Sequence, residues 1–135
     1  MKLIDKLRAA DGPDRELDAE IYCAFAGTPC ELVRGYLDEL RIKQTGTAVT
    51  WSADDISPHY TASIDAALAL VAEKLPGWKH HDYSYDADDN VYRHQYVLHH
   101  EKHTRGTLWV SESHPKSQAI ALLLALLTAL GGESA

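Results

Sequence analysis

The stretch "HQYVLHHEKH", residues 94–103, sets four histidines and a carboxylate within ten residues. Imidazole is the commonest side-chain ligand for transition metals, and two histidines with one carboxylate make a recognised divalent site. A second group, His80, His81 and Asp82, lies upstream. If both stretches are strands, side chains alternate between faces. Tyr92, His94, Tyr96, Leu98 and His100 then share one face of the second strand, and Gln95, Val97 and His99 the other. Trp78, His80 and Asp82 share one face of the first, and Lys79, His81 and Tyr83 the other. A hairpin with residue 85 opposite residue 91 sets Asp82 beside His94 and His80 beside Tyr96. His80, Asp82 and His94 then form the alternative, metal-binding or hydrolytic cluster. A one-residue slip scatters it. The plainer expectation is an exposed polar face, because a sheet that packs on helices by one side shows the other to water.

The remaining chemistry is thinner. "DADDN" (86–90) lacks the glycine and the bidentate glutamate of a calcium loop, whose twelfth position is Val97. Cys23 and Cys30 follow no common zinc or redox spacing and are expected as reduced thiols. No phosphate loop, nucleophile elbow or H-E-x-x-H helix occurs, so the chain reads as a non-enzyme without a cofactor. Tyr83, Tyr85, Tyr92 and Tyr96, with His94, concentrate on the first hairpin. Aromatic and polar residues mixed on a sheet suit a protein-binding surface, with ordinary cross-strand pairing as the competing reading. Trp51, Trp78 and Trp109 are expected between sheet and helices; one left exposed would make an interface anchor.

Composition bounds the elements that must hold these residues. A chain of 135 residues is long enough for one domain with a real core, taken as 1–135 with a short disordered tail from about 132. Twenty acidic against 13 basic side chains give a formal charge of −7, which argues against nucleic-acid and anionic-membrane partners. Met1–Ala10 is charged and carries no secretory core, and the expected compartment is the cytoplasm. "AIALLLALLTAL" (119–130) falls short of the roughly 18–20 apolar residues of a membrane span. A helix apolar on nearly every side must be buried on nearly every side. It is expected as the central core helix, with a homodimer through it left open.

Periodicity supplies the rest. Helices are expected over 2–10, from Asp14 to the Gly27/Pro29 stop, and over 31–40, where Leu32, Val33, Tyr36, Leu37 and Leu40 recur at helical spacing despite Gly35. Residues 47–51 alternate as a short extended piece, and "SADDISPH" reads as a loop. Thr61 or Ser63 caps a further helix that ends at Pro76-Gly77. Strands over 78–85, 91–100 and 107–112 form a meander, and the last helix opens near Pro115. The fold class is α+β, a layered α/β sandwich with a three-stranded antiparallel meander packed against N-terminal, central and C-terminal helices.

Three blocks, "PDRELDAEIYCAFAG", "PHYTASIDAALALV" and "HPKSQAIALLLALL", together resemble the phage ABA sandwich domain, a group of small proteins from phage and prophage regions. The central block carries the likeness at Tyr60, Thr61, Ser63, Ile64, Asp65, Ala66, Ala67, Leu68, Ala69, Leu70 and Val71. His114 stands where the family has a threonine before the proline, so Ser113 or the His114 ring must serve at the start of the last helix. The resemblance implies a layered α/β sandwich and a phage or prophage origin, and it supplies no catalytic residues.

The leading expectation is a non-catalytic phage accessory protein that contacts a host or phage protein, inhibition of a host system being one form of this. A metal-binding or hydrolytic protein and a self-assembling structural component are the alternatives.

Overall fold

The computed structural model describes residues 2–26, 29–86, 92–102 and 106–131, with side chains described for all of these except 83–86, 92–93, 101–102 and 106–108. Helices α1 (Leu3–Ala9) and α2 (Arg15–Phe25) lead into strands β1 (Cys30–Arg34), β2 (Leu40–Gln44) and β3 (Thr50–Ser52). Helices α3 (Ala53–Ile56) and α4 (Ile64–Lys74) follow, then β4 (Lys79–Asp86), β5 (Tyr92–Lys102), β6 (Gly106–His114) and α5 (Gln118–Ala129). The strands form two antiparallel sheets, ordered β1-β2-β3 and β4-β5-β6. The architecture is the expected α+β, with the meander packed against helices, and it carries one sheet more than the sequence suggested.

Helix α5 is the centre. Every residue from Ala119 to Leu127 is buried, which the all-round apolar run requires. One side lies on β5 and β6, where it meets Tyr96, Leu98 and Val110, and α1 and α4 pack on the rest with Leu7, Ala67, Leu70 and Val71. Fully burying one leucine is worth about 1.5–3 kcal/mol, so this helix supplies much of the driving force for folding. Its buried residues are covered within a single chain.

The start of α5 differs from expectation. The N-cap is Ser117, whose Oγ accepts from Ile120 N–H, so the helix begins at Gln118 rather than near Pro115. His114 organises the preceding turn. Its buried ring accepts at Nδ1 from the N–H groups of Lys116 (3.1 Å) and Ser117 (3.0 Å). With Nδ1 an acceptor, the ring proton sits on Nε2 and is donated to Ala10 C=O at 2.7 Å. His114 thus satisfies three backbone groups and ties the end of α1 to the corner between β6 and α5.

The expected helix over 31–40 is instead the β1–β2 hairpin. Gly35 N–H donates to Glu39 C=O at 2.8 Å, Asp38 adopts φ 65°, and the Glu39 carboxylate folds back to accept from Leu37 N–H at 2.9 Å. The Glu39 carboxylate lies over Gly35, in the space that a Cβ there would take. Tyr36 and Leu37, assigned above to a buried helical face, stand at the tip and are 99% and 83% exposed. Leu32, Ile42 and Trp51 pair across this sheet, which closes on α2 and α3 around Ala19, Ile42 and Ala53. Residues 53–56, read as loop, are the short helix α3.

A polar knot joins α2 to the segment before α4. Buried Asp18 accepts at Oδ1 from both Thr61 N–H and Thr61 Oγ–H, each at 2.7 Å, and at Oδ2 from Arg15 at 2.8 Å. Arg15 also donates to the C=O groups of Ala53, Ser57 and Pro58. Burying a carboxylate is costly unless it is paired and hydrogen-bonded, and here it is both. Ser63 caps α4 by accepting from Ala66 N–H. The expected tail from about 132 lies outside the described residues.

Candidate interaction face

The pairing of β4 with β5 decides where the histidines go. Residue 85 lies opposite residue 93, not 91. Asp82 is therefore opposite Tyr96, His80 opposite Leu98, and Ser84 opposite His94, a register two residues from the expected one. A shift of two preserves the faces and changes the neighbours. The last pair of the ladder is Asp86 with Tyr92, one residue further along both strands than the expected 85 with 91, which changes the register by two.

His80, Asp82 and His94 consequently do not assemble. Among the described residues no three His, Cys, Asp or Glu side chains come together as a metal site. Asp82 instead accepts from Gln118 Nε2 at 2.7 Å, a link to the first turn of α5. The His80 ring leans on Tyr96 with centroids 6.2 Å apart, and His94 is half-buried across from Ser84 and His114.

Tyr96 also departs from the expected interaction surface. It is 3% exposed and belongs to the core. Burial, followed by the charge of nearby Asp82, holds its phenol above the usual tyrosine range. The even-numbered residues of β5 are thus the inner face, turned to α5. Tyr83, Tyr85 and Tyr92 lie on paired strands, and their side chains fall outside the described residues.

The outer face carries a different group. His81, His99 and Trp109 lie across the three strands. Trp109 is an exposed tryptophan of the kind that would make an anchor, whereas His81 and His99 belonged to neither the expected metal cluster nor the expected interaction surface. The His81 and His99 rings lie within 4° of parallel with centroids 5.0 Å apart, yet their Nε2 atoms are only 3.0 Å apart. The rings therefore meet through their Nε2 edges, where one N–H donates to the other nitrogen. Trp109 stacks on the far side of His99, with centroids at 4.6 Å and planes 17° apart. Covered from both sides, His99 is only 9% exposed, while Trp109 is 63% exposed. Beside the ladder, Gln95 donates to Ser111 Oγ at 2.6 Å and fixes the strand surface.

Alternation already placed His81 with Lys79 and Tyr83, and His99 with Gln95 and Val97. The register was the missing link that brings His81 diagonally to His99 and His99 directly to Trp109. Trp109 and Trp51, expected under the helices, are exposed, and Trp78 alone of the three tryptophans packs against the core.

No family model, no curated protein and no solved structure matches the chain. Among the described residues no helix is long and apolar enough to cross a membrane.

Proposed function

We propose that the chain is a non-catalytic accessory protein of phage or prophage origin that acts in the host cytoplasm by binding another protein through the outer face of β4, β5 and β6. The observation that carries this reading is Trp109, a large aromatic that stays mostly exposed while it stacks on the ring of His99, which is itself paired with His81. Exposed tryptophan on a rigid backing is the usual composition of an interface hot spot, because it buries a large area at small cost in side-chain entropy. Strands fixed by a continuous ladder add pre-organisation. The likeness of residues 60–71 to the phage ABA sandwich domain supports the origin, and the acidic balance favours a protein partner over a nucleic acid.

The test is affinity capture from host extract with the wild-type chain, Trp109→Ala, His99→Ala and Lys116→Ala as a control away from the ladder. A protein retained by the wild type and the control, and lost from both ladder variants, is the expected result. Equal retention by all four would remove this face from consideration.

A further inference from the structure

Two thiols meet at the junction between α2 and the β1–β2–β3 sheet. Cys23 lies on the last turns of α2 and Cys30 opens β1, and their Sγ atoms are 2.7 Å apart. Both are free and half-buried. We propose that Cys23 and Cys30 form a redox-active dithiol that a low-molecular-weight disulfide converts to an intramolecular Cys23–Cys30 disulfide, fastening α2 to the neighbouring sheet.

Geometry favours this pair. A disulfide needs its sulfurs about 2.05 Å apart, so the thiols require an approach of only about 0.7 Å more. Access is present on both flanks of Cys30. One cavity of about 470 Å³ is bordered by Cys23, Cys30 and Leu32, and another of about 270 Å³ by Cys30, Tyr22 and Trp51. Cys30 is therefore where a small molecule arrives first. Cys23 borders only one of these two cavities and so serves as the second, resolving thiol; burial, and then the Cys30 contact, also raise its thiol.

The reaction balances in two exchanges. Cys30 gives its proton to solvent and attacks one sulfur of the small disulfide, breaking that S–S bond, expelling one thiolate and forming a mixed disulfide. Cys23 then attacks Cys30 Sγ, its proton passing to the second departing thiolate. The two protein thiols lose two electrons, and the small disulfide gains them as two free thiols.

The full chain, reduced and folded, is incubated in hydroxyethyl disulfide and mercaptoethanol at rising ratio, quenched with acid, blocked with maleimide and weighed intact. The wild type is expected to pass from two maleimides to none with the loss of two hydrogens, without a lasting adduct. Cys23→Ser should stop at the mixed disulfide on Cys30, and Cys30→Ser should keep a free Cys23 thiol. The proposal is overturned if the folded chain retains both thiols at a ratio that oxidises the same chain in denaturant. It is equally overturned if stable adducts collect on the wild type, or if Cys23 is modified as readily in Cys30→Ser as Cys30 is in Cys23→Ser.

Discussion

Thr61 donates twice to one oxygen of Asp18, through its backbone N–H and its hydroxyl, both at 2.7 Å. Asp18 lies in the first turn of α2 and Thr61 on the step before α4, so α2 places a buried acceptor and the later segment brings the donors to it. Asp18→Ala is expected to cost about 3 kcal/mol, because Arg15 and both Thr61 donors lose their acceptor. Thr61→Val should cost less, and the double variant less than the sum of the two. Urea denaturation of the four proteins of this cycle measures the coupling, expected at about 1–2 kcal/mol.

His114→Ala leaves two N–H groups and Ala10 C=O without their partner at a buried corner. A loss of about 2–3 kcal/mol is expected from denaturant midpoints. Nitrogen NMR of the wild-type imidazole should show the proton on Nε2. A proton on Nδ1 would contradict the hydrogen bonding described here.

Trp109 sits at the opposite extreme. Trp109→Ala should change stability by less than about 1 kcal/mol, since most of the side chain is already in water. A loss of capture with unchanged thermal unfolding would separate binding from folding. A large fall in stability would show that the ladder is structural support.

Alkaline pH should destabilise the fold. The Tyr60 and Tyr96 phenols lie above their usual values chiefly through burial, and the Cys23 thiol is pushed up from 9.0 to about 12. A group whose folded value is raised holds its proton more tightly in the folded chain than in the unfolded one. Its contribution is complete below the unfolded value and disappears as pH rises through the folded one. Stability should therefore be level up to about pH 9 and fall between 9 and 12. Denaturation curves at stepped pH check this, and Tyr60→Phe, Tyr96→Phe and Cys23→Ser should each flatten the decline.

Much of the architecture was legible. Ser63, the stripe through Ala67 and Val71, and the Pro76-Gly77 stop define α4, and the apolar run at 119–130 dictated its own central place. The helix expected over 31–40 failed because Leu32, Val33, Tyr36 and Leu37 match a helical period by coincidence. Gly35, Asp38 and Glu39 instead close a turn whose geometry depends on a side chain folding back, which periodicity does not register. The site was less legible than the fold. Alternation sorted the histidines into two sets, but a helix apolar all round names no face, so nothing in the sequence said which set α5 would cover. The register then moved by two and exchanged one cluster of histidines for another.

The β1–β2–β3 sheet rests mainly on α2 and α3 and has its own small cluster around Ala19, Ile42 and Ala53, apart from the α5 core. To a protease the molecule therefore offers a handle. Tyr36 and Leu37 stand bare at the tip of a hairpin whose opening need not disturb α5, and both are residues that chymotrypsin prefers. A single early nick there, leaving two fragments that stay together and keep the outer face of β4–β6, is how this division of the core would show itself at the bench.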